Sequence, residues 1–351
     1  MAITRIGNIA STIPDDSIQN VKMSNIVQSK NILINGDMNI AQRATSASSI
    51  TSASYNTVDR WQNYISSLGT WTVSQDTTVP TGQGFAKSLK YDCTTADASP
   101  SASDVNILIQ KFEGQNLQYL KKGTSSAESL TLSFWVRSNK TGTYTCEIFD
   151  GDTTGTLDND NASSLNVHFW LGAGSDFTGG TFNNGTWGAG GNNTRVSSSQ
   201  VNLADSTSNE WYVTGVQLEA SETASDFEFL PVDVNLNRCL RYYETIATGA
   251  QQSFGQGVYY NSGSLYYSDK YRVTKRAVPT LDQVTGSDIY IIYRNNAADN
   301  FAGFDNLGGN TTMTFFELNV GTSISGTGGQ VGFFRTGPSS TTCFIAFDAE
   351  L

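Results

Sequence analysis

Trp211-Tyr-Val-Thr-Gly-Val-Gln-Leu-Glu219 alternates apolar and polar side chains and closes on Gln-Leu-Glu. A period of two is the mark of a strand with one face in a core. Far upstream, Asn31-Ile-Leu-Ile-Asn-Gly-Asp-Met38 is a short apolar run broken at Asn-Gly-Asp. It reads as a strand and a turn. Between them, Ser129-Leu-Thr-Leu-Ser-Phe-Trp-Val-Arg137 gives the clearest alternation. Leu130, Leu132, Phe134 and Val136 take one face; Thr131, Ser133, Trp135 and Arg137 take the other. Leu165-Asn-Val-His-Phe-Trp-Leu171 repeats the pattern with Leu165, Val167, Phe169 and Leu171 inward. Val58–Trp61, Gly69–Ser74 and Asn106–Phe112 complete the candidate strands, and Thr143–Phe149 is expected to return as the hairpin partner of 129–137. Many short strands separated by turn residues predict an all-β sandwich or barrel.

The character changes at Pro231. Val234, Leu236, Leu240 and Tyr243 fit one or two helical turns, after which apolar runs resume at Val258–Tyr260, Ser264–Tyr267, Tyr271–Val273, Ile289–Tyr293, Met313–Leu318, Val331–Phe334 and Cys343–Phe347. These predict a second, smaller β domain. Residues 1–30 hold Ile3, Ile6, Ile9 and Ile13 in a polar setting, too thin for a core of their own. The expected division is an arm over 1–30, a sandwich over 31–232 and a β domain over 233–351.

Charged residues make up 15 % of the 351, so hydroxyls and amides must wet most of the surface. The net charge of −11 would repel a nucleic-acid backbone or an anionic membrane. The longest apolar runs, such as Ile289–Tyr293, are too short to insert in a bilayer. Cysteines at 93, 146, 239 and 343 form no CxxC pair, and are expected to be reduced, buried hydrophobes in a chain folded in a reducing cytoplasm. No signal peptide is evident at the start, which fits a protein released by lysis.

Order along the chain carries a resemblance. The strands at 31–38 and 211–219 resemble the first and last strands of the β-jelly-roll of carbohydrate-binding modules and of many phage tail fibres. Phe227-Glu-Phe-Leu-Pro231, Asn237-Arg-Cys-Leu-Arg-Tyr-Tyr-Glu244, Tyr271-Arg-Val-Thr-Lys-Arg-Ala-Val-Pro-Thr280 and Phe347-Asp-Ala-Glu-Leu351 are similar to segments of tail-fibre proteins of tailed phages. So is the opening Met1-Ala-Ile-Thr-Arg-Ile-Gly7. The resemblance implies a jelly-roll, a homotrimer, attachment to other phage tail proteins through residues 1–30, and a receptor-binding role on a host surface polysaccharide. It places the protein in the virion, as a tail fibre. One departure stands out. Such modules run through a further Trp-containing strand after the equivalent of 143–149, whereas here Phe149-Asp150 meets Gly151-Asp-Thr-Thr-Gly155 directly, leaving the strand count open.

Sugars stack on exposed aromatic rings, with amides and carboxylates around them. Trp187, in the glycine-rich run Asn183–Asn192, is the leading glycan-binding candidate, with Trp170 and His168 beside it on a sheet face. Tyr259, Tyr260, Tyr266 and Tyr267 offer a second surface, of which alternation puts half in the core. His168 is the only histidine and has no nucleophile elbow for company. Carboxylate pairs Asp226/Glu228 and Asp150/Asp152 are present, but nothing marks either as a hydrolase pair. The expected role is adhesion without catalysis; a purely structural fibre or decoration protein, and a depolymerising tailspike, are the alternatives. Asp150-Gly-Asp152 starts like a calcium loop but fails at Thr154 and Asn161. By resemblance, a structural calcium would draw on Asp37 and Glu219.

Overall fold

The computed structural model describes residues 30–152, 156–185, 187–188, 191–338 and 341–351. Nine strands form its first part: β1 Ser46–Ile50, β2 Gln62–Ser66, β3 Thr70–Asp76, β4 Ser88–Thr95, β5 Val105–Glu113, β6 Leu130–Ser138, β7 Cys146–Asp150, β8 Ser163–Ala173 and β9 Glu210–Ala220. They pair into a five-stranded sheet, β1-β3-β4-β9-β6, and a four-stranded sheet, β2-β5-β8-β7. All pairings are antiparallel. The sheets close on one core as a β-sandwich. Leu165, Val167, Phe169 and Leu171 of β8 enter that core as predicted, and meet Trp61, Trp71, Tyr91 and Trp211. Tyr91 stands edge-on to both Trp71 (5.9 Å) and Trp211 (6.2 Å), so large rings fill the space between the sheets.

Several sequence expectations need correction. Strand β7 pairs with β8 and lies in the opposite sheet from β6, so 143–149 does not form a hairpin with 129–137. After Phe149, no further strand lies between β7 and β8 among the described residues. Asn31–Ile34 lies beside β9 but is not a ladder strand. Ile32 N–H donates to the Leu218 carbonyl (2.9 Å), while the Asn31 side chain accepts from Leu218 N–H (3.1 Å) and donates to the Val216 carbonyl (3.0 Å). A side-chain amide thus does what backbone pairing would otherwise do. Val58–Trp61 is a turn with Arg60 in the left-handed region (φ 73°). Tyr271–Val273 is likewise not a strand.

A nine-residue helix, α2 Val232–Leu240, follows the short α1 Ser175–Thr178 and is capped by Pro231; it covers Val234, Leu236 and Leu240 of the predicted helical turns, whereas Tyr243 opens the next strand. Beyond it come β10 Tyr243–Thr248, β11 Ser253–Asn261, β12 Ser264–Lys270, β13 Thr280–Gln283, β14 Tyr290–Arg294, β15 Ala297–Phe301, β16 Asn306–Leu307, β17 Phe315–Val320, β18 Val331–Thr336 and β19 Phe344–Asp348. A seven-stranded sheet, β15-β14-β18-β11-β12-β17-β16, and a three-stranded sheet, β10-β19-β13, share a second core rich in Tyr and Phe.

The two parts are joined by buried charge. Arg60, 1 % exposed, pairs with Glu350, while Arg43 pairs with Asp348 at 3.0 Å and Glu350 at 3.4 Å. Arg43 and Arg60 also lie over the rings of Tyr243 (3.6 Å) and Tyr242 (3.5 Å). Arg241 clamps Glu113 with two hydrogen bonds of 2.7 and 2.6 Å.

Candidate functional site

The outer face of the four-stranded sheet carries His168 and Trp170, which alternation turns away from the core as expected. They are not exposed. His168 is 5 % and Trp170 0 % accessible, because the segment after β8 folds back over them. Trp170 packs with Val105, Ile107, Ile109 and Val196 in a small core of its own. Glu147 organises the polar part of this layer. It accepts hydrogen bonds from His168 Nδ1 (2.8 Å), Trp170 Nε1 (3.1 Å), and Arg195 Nε and Nη2 (both 2.8 Å). Burial alone would raise the Glu147 pKa; the bonds from His168 and Arg195 outweigh it and hold it down to about 2. Phe149 stacks on His168 at 5.5 Å, and Arg195 covers Phe149 at 4.4 Å. This is a closed structural cluster, so His168 and Trp170 are withdrawn as glycan contacts.

The outer face of the five-stranded sheet is open. One row of side chains crosses four strands as Ser74, Lys90, Tyr212 and Arg137, each pair set opposite by the sheet register. Lys90 and Arg137 each stand 5.7 Å from the centre of the Tyr212 ring. Glu210 accepts from Lys90 Nζ (2.6 Å) and from the Tyr212 hydroxyl (2.8 Å), and those bonds lower its pKa. Next to this polar row lies Trp135, 46 % exposed. Its place depends on a bulge: the β6–β9 register slips between Ser133 and Trp135, opposite Gly215 at φ 60°. A Cβ on Gly215 would come within 2.5 Å of Phe85 and 3.0 Å of Trp135, so only glycine lets both rings lie over the bulge. Trp135, Tyr212 and the Thr78-Val79-Pro80 loop wall a groove of about 150 Å³. Here an apolar ring stands beside a tyrosine, two cations and a carboxylate, the mixture that receives the C–H faces and hydroxyls of a sugar. Sequence reasoning placed Trp135 outward but did not single it out. A Trp on the solvent side of the chain's clearest strand was the available signal.

Trp187 is 59 % exposed, with Lys122 Nζ 4.8 Å from its ring centre. It therefore remains available as a contact, on a different surface from the Trp135 groove. The tyrosines divide as alternation requires. Tyr259 (0 %) and Tyr267 (6 %) belong to the second core, which removes them as contacts, whereas Tyr260 is 77 % exposed and meets Tyr266 edge-on at 6.1 Å.

Asp37 and Glu219 are not brought together. Asp37 lies level with Thr214, five residues along β9 from Glu219, roughly 16 Å for an extended chain. Asp37 accepts from Asn235 (3.1 Å), and Glu219 accepts from the Ser225 N–H and hydroxyl (both 2.8 Å). Among the described residues no group of three or more His, Cys, Asp or Glu side chains is placed to hold a metal. Of the calcium-like run, residues 153–155 lie outside the described residues. The carboxylate pairs are also engaged: Glu228 accepts from Asn31 N–H (2.9 Å), Asp152 accepts from the Ser164 hydroxyl, and Asp150 pairs with Lys122. Asp226 and Glu228 do not share a strand.

A cavity of about 290 Å³ opens between Ile32, Ile34, Phe112, Tyr119, Arg238 and Tyr242. Its carboxylate, Glu113, is saturated by Arg241, Tyr242 and Gln115. No described helix is long and apolar enough to cross a membrane. Comparison of the chain with protein-family models, curated proteins and solved structures found no match.

Proposed function

We propose that this chain is an adhesin of a tailed phage, a tail-fibre or receptor-binding component that holds the virion on a host cell-surface polysaccharide without catalysis. The phage assignment rests on the resemblance of the segments quoted above. With it come a homotrimeric assembly and attachment to other tail proteins through residues 1–30, of which 1–29 lie outside the described residues. The observation that carries adhesion is the Trp135 groove: a half-exposed indole on an outer sheet face, lined also by Tyr212 and Arg137, with the Lys90–Glu210 pair on the far side of Tyr212. Trp187 is a second aromatic contact of the same chemistry.

The test is binding of the full protein to host cells and extracted envelope glycans. An indole–sugar contact is worth about 1–1.5 kcal/mol by analogy with aromatic pairs, so Trp135→Ala should weaken binding about five- to fifteen-fold. Its melting temperature should hold, since the ring is half in solvent. Trp187→Ala should behave similarly and independently. Full binding by the double variant would refute adhesion through these aromatics, and absence of any glycan or cell binding would leave a structural fibre or decoration protein. Release of reducing sugar would instead point to a depolymerising tailspike.

A further inference from the structure

Among the described residues, much of the outward face of the seven-stranded sheet is left exposed, although its other face is packed with Tyr259, Tyr290, Phe301, Phe316 and Phe334. Register aligns the outward side chains in rows. One runs Val331, Val258, Tyr266, Asn319, Asn306, and the next runs Ala298, Tyr293, Phe333, Gln256. Flanking positions pair as Asn300, Ile291, Arg335, Ser253 and as Ser268, Glu317. Most apolar members are open to water: Val331 and Phe333 are each 57 % exposed, Val258 42 %, Tyr293 41 % and Tyr260, edge-on to Tyr266 on the same face, 77 %, whereas Ile291 is 5 % exposed. They stand on central strands, β18 and β11, not on an edge. An exposed apolar stripe of this kind marks an interaction surface.

From this we infer that copies of the chain associate through this face. The inference rests on the assembly part of the function proposed above, and not on glycan binding. Two observations select a second copy as the occupant. The first is charge. Across this face the charged residues are Arg335, Lys270 and Glu317, a sum of +1, on a chain whose net charge is −11. Two such chains repel over most of their surfaces and least across this one. Arg335 is itself held down, 5.0 Å over the Tyr293 ring and bonded to the Ser253 hydroxyl at 3.1 Å. The second is chemistry and size. Val258, Val331 and Phe333 offer nothing for a sugar hydroxyl to bond, and neither of the two cavities described above reaches them. Seven strands about 4.8 Å apart and about five residues long span on the order of 600 Å² in projection. Corrugated side chains raise that toward the roughly 800 Å² per partner of a stable interface.

The experiment is sedimentation velocity on the full chain with Phe333→Glu, Tyr260→Lys and the distant control Tyr64→Glu, repeated at high salt. The wild type and Tyr64→Glu should sediment as one oligomer, unchanged or tighter in salt. Phe333→Glu and Tyr260→Lys should each shift it to monomer, with wild-type circular dichroism and melting temperature. A monomeric wild type would overturn assembly itself. An oligomer that survives both substitutions in folded protein would overturn this interface while leaving assembly intact. Dissociation at high salt would overturn a contact held by apolar groups.

Discussion

Glu147 shows how much one side chain can organise and how that shows in solution. Its folded-state pKa of about 2 lies below the ordinary 4.5, and burial pushes the His168 pKa down despite the pull of Glu147. Both shifts are depressions. Each contribution to stability is therefore present above the unfolded-state pKa and lost as pH falls. Acidification should lower the melting temperature in two stages, first below about 6.5 as His168 is forced to charge, then between 4.5 and 2 as Glu147 is protonated. A shift from 4.5 to about 2 corresponds to on the order of 3 kcal/mol. His168→Gln should remove the first stage only. A melting temperature flat from pH 7 to 5 in wild-type protein would contradict the burial of His168. The cysteines supply a second measurement. Cys93, Cys239 and Cys343 are buried and Cys146 is exposed, and burial lifts the Cys93 thiol to about 11. Cys146 should react first with a thiol reagent in native protein, though slowly, because its surroundings lift its thiol to about 12, and all four should react after unfolding. Cys146 is the correction to the expectation that all four are buried; that all four are free agrees with it.

At the scale of elements, two glycines fix how segments meet β9. A side chain on Gly36 would run into the Val216 carbonyl oxygen, and one on Gly215 would add a left-handed penalty to its collision with Phe85. Gly215→Ala should cost about 1–3 kcal/mol and displace Trp135, measured as lower melting temperature and altered Trp fluorescence. Gly36→Ala should cost at least as much, since backbone cannot swing aside; wild-type stability in either variant would count against the bulge or the close approach. The strands that could be read in the sequence were those with strict alternation, β6, β8 and β9 above all. Strands β1 and β13, whose sequences mix polar residues on both faces, gave no such signal, whereas β4 alternates Leu89, Tyr91 and Cys93 against Lys90 and Asp92 and went unread. Asn31–Ile34 was misread as a ladder strand, because an amide that imitates backbone pairing looks like any other Asn in sequence. Trp170 and His168 were read as outward, which they are, and as accessible, which they are not. Alternation reports the face of a sheet; what covers that face comes from residues such as Arg195 and Val196, fixed by tertiary folding.

For the whole molecule, the joint between the two parts is ionic and buried, and such joints are sensitive to loss of one partner. Glu350→Ala would strand Arg60 at a site 1 % exposed and leave Arg43 with Asp348 alone, at a cost of about 3–5 kcal/mol. Calorimetry should show one transition in wild-type protein and two in this variant, as sandwich and second domain melt apart; a single, unshifted transition would mean the parts are held by other contacts. The same joint imposes a timetable on synthesis. Arg60 and Glu350 are 290 residues apart. At about 5–20 residues per second, a ribosome needs roughly 15–60 s to deliver the carboxylate after the arginine. Throughout that interval the nascent sandwich holds two guanidinium groups aimed at a partner not yet made. Its first segment cannot reach its final burial until the last strand arrives. Yield of folded protein should therefore depend on translation speed and chaperone supply more steeply than the stability of the finished fold would suggest.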